Sequence, residues 1–151
     1  MIWIIRIFLF LYALIYIALG GWAIIEPVRM MISDDFPSFM QAVGLSVTSP
    51  IGYSEVAGIY GGINVMVGLI ALIGVFARRF AIWASALFVF LTGSIALGRY
   101  LLSLIPSAPG YLNEFFIFEV VSFFIYLIFL IFLNLQTKKD IDHKETVDSN
   151  Q

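Results

Sequence analysis

Four long stretches with almost no charged residues dominate the pattern of apolar and polar positions along this chain. They run from Ile7 to Ile25, from Val56 to Ala77, from Phe80 to Gly98 and from about Asn113 to Leu135, the last containing Glu119. The apolar residues are continuous rather than alternating, which indicates helices and not the strands of a membrane barrel. Each stretch is close to the roughly 20 residues that a helix needs to cross a bilayer.

The predicted fold class is therefore all-α, an integral membrane four-helix bundle that occupies residues 1–136. The polar residues at 137–151 are too hydrophilic to bury and are predicted to form a disordered cytoplasmic tail. The spans are expected at about residues 2–25, 53–77, 80–104 and 113–135, with an outer loop at 26–52.

The composition favours lipid surroundings and excludes several classes of function. Hydrophobic residues make up 62% of the 151 residues, and the mean hydropathy is +1.02, whereas a soluble domain averages roughly 45–50% apolar residues. A net charge of −2 indicates no nucleic-acid partner. The absence of cysteine excludes thiolate sites, and His143 alone in the tail cannot supply a metal site. We expect no metal and no resident cofactor.

The distribution of basic residues predicts the orientation of the spans. One side of a four-span arrangement collects Arg6, Arg78, Arg79, Lys138 and Lys139. The other side holds Arg29 together with several acidic residues. The positive-inside rule then places the N and C termini in the cytoplasm.

The outer loop contains a candidate short helix. The segment Ser33–Asp35 has the residue types of an N-cap. One apolar edge follows it, made of Phe36, Phe39, Met40 and Val43. This segment is either a helix that lies flat at the membrane interface or an ordinary connecting loop.

Three ionisable residues lie within or at the ends of the apolar stretches: Glu55, Arg99 and Glu119. Counted from the cytoplasmic basic residues, a rise of 1.5 Å per residue puts Arg99 and Glu119 at about 30 Å and about 29 Å, and Glu55 at about 35 Å. All three are thus expected near the outer boundary of a hydrocarbon core about 30 Å thick. Charges in a membrane usually face the interior and pair, so we predict a Glu–Arg–Glu cluster.

Helical periodicity adds polar and small residues to this cluster. The spacing of three and four residues puts Glu119 on one stripe with two polar residues of the fourth span. Small residues let helices approach closely. The polar residues assigned to the cluster are Tyr60, Asn64, Ser122 and Tyr126, and the expected helix-packing residues are Gly58, Gly61, Gly62 and Gly68.

The cluster has two interpretations. Arg99 and Glu119 form a structural clamp while Glu55 caps the second helix at water, where negative charge is favourable. Alternatively, the surplus acid makes the cluster a site for a ligand or a proton.

The run Glu55-Val56-Ala57-Gly58-Ile59-Tyr60-Gly61-Gly62, with Gly68, Gly98-Arg99 and Glu119 after it, resembles the domain of unknown function 4345 family. Members are small four-helix bacterial membrane proteins, similar in general architecture to the DoxX-like proteins. The resemblance covers roughly Tyr53 to Ile131. It implies the fold, a multi-pass location in the bacterial inner membrane and the importance of Glu55, Arg99 and Glu119. It implies no activity, since the family has none assigned. Unlike many members, this chain has no acidic residue in its SLIPSAPG stretch after Arg99.

These observations lead to three functional hypotheses. The first is a binding or accessory protein, not an enzyme, whose polar cluster contacts a lipid, a quinone-like molecule or a larger membrane complex. The second, by analogy with DoxX-like proteins, is an enzyme or redox helper linked to quinone metabolism. The third is a proton or ion pathway through the carboxylates, for which the inner halves of the spans offer few polar groups.

Overall fold

The computed structural model describes residues 1–29, 35–105 and 114–148, without the side chains of 143–145, 147 and 148. Over these ranges the regular structure is entirely helical. The all-helical prediction is therefore confirmed, as are four helices long and apolar enough to cross a membrane. Those helices are Ile2–Val28, Pro50–Phe76, Arg78–Ser103 and Glu114–Asp142. The chain divides into two compact units, Met1–Ala77 and Arg78–Gln151, called here the first and second unit.

The first unit pairs two antiparallel spans. Helix α1 covers Ile2–Ile25 and passes into a 3-10 turn at Glu26–Val28. Pro27 lies in this turn because proline needs no backbone N–H there. The buried stripe of α1 follows helical spacing and consists of Ile5, Leu9, Tyr12, Ala13, Tyr16, Gly20 and Ala23.

Glycines set the distance between these two spans. A Cβ atom at Gly20 would lie 2.7 Å from the carbonyl oxygen of Gly61, and one at Gly68 would lie 3.0 Å from the carbonyl oxygen of Ala13. Both contacts are with backbone, which cannot move aside as a side chain can. Within this unit a Cβ at Gly58 would meet nothing within 4 Å and one at Gly62 only an atom 3.9 Å away, so helix packing through these two glycines stays a prediction. Helical periodicity identified small residues along the second span but did not show which of them face α1.

The second span starts earlier than predicted and is irregular in its first half. Helix α3, Pro50–Glu55, comes after the short helix α2, Phe39–Ala42, and a π-helical segment, Val56–Gly62, leads from α3 into α4, Ile63–Phe76. The hydroxyl of Ser49 accepts from the N–H of Gly52 at 3.3 Å and caps the helix. Glu55 is therefore the last residue of α3 and does not cap the span.

The connecting segment folds back on the first unit. Helix α2 is Phe39–Ala42, and its cap is Ser38, which accepts from the N–H of Gln41 at 3.2 Å. The expected cap at Ser33–Asp35 falls mostly outside the described residues. Phe39 and Met40 are buried against Ala23 and Val56, whereas Val43 is exposed. Half of the predicted apolar edge therefore packs on the protein itself, and the interfacial helix stays a prediction.

Gly44 ends α2 with a backbone that favours glycine. Its φ is 71°. Leu45 N–H donates to the carbonyl of Met40 at 2.8 Å, and Gly44 N–H donates to that of Gln41 at 3.2 Å. This is a Schellman motif, in which a left-handed residue satisfies the last carbonyls of a helix.

The second unit consists of two antiparallel helices, α5 at Arg78–Ser103 and α6 at Glu114–Asp148. A Cβ atom at Gly93 would lie 2.8 Å from the ring of Phe123, so the ring packs closely against the glycine. The rings of Phe88 and Tyr126 pack with their centroids 4.5 Å apart. Arg78 Nη2 donates to the carbonyl of Leu133 at 3.3 Å. These contacts fix the register of the two helices.

The disordered tail predicted at 137–151 is helical up to Asp148. Adding a residue to an existing helix forms a hydrogen bond without the cost of nucleation, so polar composition alone does not end α6. Arg78 also pairs with Asp140 beyond the apolar span, and the Thr146 hydroxyl donates to the Asp142 carbonyl at 2.8 Å.

Gly20 and Gly21 provide a test of close packing on one helix. Gly20→Ala should lower the free energy of unfolding by about 1–3 kcal/mol, the range for overpacking, because the new methyl group meets backbone. Gly21→Ala is the matched control, since a Cβ there meets nothing within 4 Å and alanine is the better helix former. Thermal unfolding of the detergent-solubilised chain, followed by circular dichroism, measures both. Equal stabilities of the two variants would contradict the contact.

Candidate functional site

The second unit contains a charge pair between its two apolar helices. The Nε–H of Arg99 on α5 donates to both carboxylate oxygens of Glu119 on α6, at 3.1 Å to Oε1 and 2.9 Å to Oε2. The Glu119 side chain is 11% exposed and that of Arg99 is 32% exposed. The antiparallel arrangement brings the two residues level, as the count of helical rise predicts.

Most of the hydrogen-bonding capacity of Arg99 is directed away from Glu119. A guanidinium carries five N–H donors in a planar fork, and the carboxylate engages only the one on Nε. Nη1 and Nη2 donate to no acceptor within the described residues of the second unit, 78–105 and 114–148. Arg99 therefore presents four N–H groups to a hydrogen-bond acceptor supplied from outside.

An apolar groove begins one helical turn from this pair. Ala96 precedes Arg99 by three residues, Phe123 follows Glu119 by four, and both line a cavity of about 420 Å³ on the second unit. Gly93 of α5 lines the cavity as well and, having no side chain, takes up little of its space. Ser94 is its only hydroxyl-bearing lining residue. The charged pair and the groove together have the polarity pattern of an amphipathic molecule.

The other polar residues predicted on this stripe are buried. The Ser122 hydroxyl donates to the Phe118 carbonyl of its own helix at 2.6 Å. Tyr126 is fully buried, with its ring against Phe88 and, at 5.7 Å, against Phe129. Both residues lie on the packed face of α6 and support the helix that carries Glu119.

The remaining predicted site residues belong to the first unit and make separate contacts there. Glu55 is exposed and forms no ion pair or hydrogen bond with the described part of that unit. The Tyr60 ring packs against Phe39 at 5.8 Å. The Asn64 amide donates to the Tyr60 carbonyl at 2.6 Å. The inclusion of these three residues in one cluster with Arg99 stays a prediction.

Sequence reasoning missed a second polar cluster, around Glu26 in the first unit. Glu26 is only 4% exposed. Its Oε1 accepts from the Ser38 hydroxyl at 2.7 Å and from Arg29 Nε at 3.1 Å, and its Oε2 accepts from the Phe39 N–H at 2.7 Å. Arg29 Nη1 in turn donates to the Phe36 carbonyl at 3.2 Å.

This Glu26 cluster fastens the connecting segment to the end of α1. The i, i+3 spacing of Glu26 and Arg29 was the available signal, but the contact with Ser38 spans 12 residues. A polar cavity of about 340 Å³ adjoins the cluster. Three protein donors engage the carboxylate, so we assign Glu26 a structural role.

The chemistry of these sites is that of hydrogen bonding and charge. No group of three or more His, Cys, Asp or Glu side chains that could hold a metal occurs in the part of the chain the structure describes. No family model, curated protein or solved structure matches this chain. The resemblance to the domain of unknown function 4345 family therefore stays a prediction, and the function has to be argued from the sites.

Removing one member of the Arg99–Glu119 pair should be more harmful than removing both. Arg99→Leu leaves the buried Glu119 carboxylate without its donor and should cost about 3–5 kcal/mol of stability. Arg99→Leu combined with Glu119→Leu should recover much of this loss, because no charge is left unpaired. Thermal unfolding in detergent distinguishes the variants. Unchanged stability of the single variant would show that the pair is not a clamp.

The two glutamates of the first unit should respond differently to amide substitution. Glu26→Gln places an NH₂ donor among Ser38, Phe39 and Arg29, which also donate, and should cost about 1–3 kcal/mol for an unsatisfied buried group. Glu55→Gln is the control, because Glu55 is exposed and without a described partner. Thermal unfolding and the fluorescence of Trp22, whose Nε1 donates to the Pro37 carbonyl at 2.8 Å, report the change. A larger loss of stability on Glu55→Gln than on Glu26→Gln would contradict the structural role of Glu26.

Proposed function

We propose that this chain is a membrane-embedded binding or accessory protein for an amphipathic molecule, either a lipid or a quinone-like molecule. The head of the molecule accepts hydrogen bonds from Nη1 and Nη2 of Arg99, and its tail lies in the groove beside Gly93 and Phe123. The observation that carries the proposal is the fork of four N–H groups on Arg99 next to an apolar groove.

Glu119 positions the guanidinium for this role. Two oxygens of one carboxylate engage a single nitrogen, Nε, which anchors the guanidinium at that atom and leaves the donors of Nη1 and Nη2 unused by the acid. A donor held in its bound orientation loses less entropy on binding. In this proposal the two sequence-based interpretations are combined. Glu119 serves the structural clamp by holding Arg99, and Arg99 serves the site by binding the ligand.

Recognition depends on the polar head more than on the tail. A tail leaving the bilayer for the groove exchanges one apolar environment for another, so it gains little hydrophobic free energy. A hydrogen bond from a charged donor is strong where water is excluded. The groove selects for shape, whereas Arg99 supplies the affinity for a carbonyl, phosphate or carboxylate oxygen.

The proposal includes a location. The positive-inside rule puts both termini in the cytoplasm and Arg99 near the outer boundary of a bacterial inner membrane, where four spans would form one bundle of DoxX-like architecture. Four helices of suitable length and polarity support the membrane assignment. A headgroup of the outer leaflet, or a quinone head that moves to the interface, would then be within reach of Arg99.

A proton pathway has less support. Such a pathway needs polar groups that continue from Glu119 along the span. The next two on its stripe, Ser122 and Tyr126, lie on the packed face, with the Ser122 hydroxyl donating to its own helix.

Native mass spectrometry of the chain purified in mild detergent tests the proposal. The wild type should retain a small molecule at Arg99, which solvent extraction identifies as a phospholipid by its phosphate or as a quinone by its ultraviolet absorbance. The double variant Arg99→Leu, Glu119→Leu should fold but lose that molecule, so that it carries one bound molecule fewer than the wild type. Arg79→Gln, which removes an arginine stacked on Trp83, is the control and should retain it.

Two results would contradict the proposal. One is repeated recovery of the wild type as a ligand-free monomer. The other is co-purification of further protein subunits with no small molecule, which would indicate a larger membrane complex as the partner of this chain.

A further inference from the structure

A second arginine with no acceptor in the described part of its own unit lies at the N-terminal end of the first unit. The Arg6 guanidinium lies over the Trp3 ring, 5.1 Å from its centroid. Stacking uses the face of the guanidinium and leaves its N–H groups free along the edge. No hydrogen bond or ion pair engages them within the described residues of the first unit, 1–29 and 35–77. Arg6 is thus held in place by an aromatic ring and not by a carboxylate.

An apolar groove begins at this arginine and runs along α1. Arg6 and Trp3 line one end of a cavity of about 420 Å³, and Phe10, Leu11 and Phe76 line its apolar part. From Trp3 to Leu11 the helix rises about 12 Å, a distance comparable with part of an acyl chain. Phe76 is 80% exposed and Trp3 is 70% exposed, so the groove opens on the surface of the unit.

We infer that this groove binds one anionic phospholipid, with its phosphate on Arg6 and one acyl chain along Phe10 and Leu11. The charge of the site favours this occupant, because the lining includes a cation but no acidic residue, and the first acidic residue of the chain is Glu26. The ammonium group of a zwitterionic head would meet no carboxylate here. Tryptophan and arginine at the end of a span also mark the depth of the headgroups.

Arg79 in the second unit provides a matched comparison. Its guanidinium lies 4.8 Å from the centroid of the Trp83 ring, so the cation and its aromatic support are the same in kind. Removing either arginine changes the net charge equally. A difference between the two variants therefore reports the groove at Arg6 and not general attraction of a basic protein to an acidic membrane.

Native mass spectrometry of the full chain in detergent, titrated with phosphatidylglycerol and separately with phosphatidylcholine, tests this inference. The wild type should bind one phosphatidylglycerol more tightly than phosphatidylcholine. Arg6→Gln should weaken the binding of phosphatidylglycerol about five-fold, the effect of one basic residue at an anionic surface, and should weaken that of phosphatidylcholine less, because the ammonium group of that head offsets the charge of its phosphate. Arg6→Lys should retain the preference, and Arg79→Gln should bind as the wild type does.

Equal binding of the two lipids by the wild type would overturn the inference, as would unchanged binding of phosphatidylglycerol on Arg6→Gln. Equal losses of phosphatidylglycerol affinity on Arg6→Gln and Arg79→Gln would also overturn it, because they would indicate adventitious surface lipid only. Circular dichroism confirms that each variant is folded. The double variant at Arg99 and Glu119 should still bind phosphatidylglycerol at Arg6. That result separates this site from the proposed function, since each can fail without the other.

Discussion

A charged group surrounded by hydrocarbon has to find its partner within the protein, because neither water nor lipid tails can supply one. Arg99 and Glu119 meet this requirement across two helices whose other contacts are largely apolar. The pair fixes the register of the second unit at one end, and Phe88 with Tyr126 continues it toward the middle. Because only Nε of Arg99 donates to the Glu119 carboxylate, the N–H groups of Nη1 and Nη2 remain available for binding.

The two units solve the same packing problem in different ways. Between helices in lipid there is no hydrophobic driving force, so association depends on close contact and on polar bonds. The first unit relies on close contact, with Gly20 against Gly61 and Gly68 against Ala13. The second relies on the ion pair and on a large ring, Phe123, seated over Gly93. The glycines allow backbones to approach, whereas Arg99 and Glu119 specify which positions face each other.

The need of a buried carboxylate for hydrogen-bond donors also explains why the connecting segment of the first unit folds back on the end of α1. A buried carboxylate at the end of α1 would be costly alone, and Glu26 offsets that cost with the hydroxyl of Ser38, the N–H of Phe39 and Arg29. The same contacts hold Phe39 over the apolar junction of the two spans. A segment that composition alone presents as a loop is thereby part of the packed structure, with Phe39 and Met40 buried.

Hydropathy determined the number and the type of the four long helices and, to within a few residues, their ends apart from the C-terminal end of α6, because apolar length and continuity are properties of the sequence itself. Helical rise also brought Arg99 level with Glu119. The tertiary structure alone decided which small residues pack, since Gly61 and Gly58 look alike until a neighbour is present. It alone joined Glu26 to Ser38 and continued α6 to Asp148, because those outcomes depend on contacts between distant residues and on cooperative helix growth, neither of which a local pattern records.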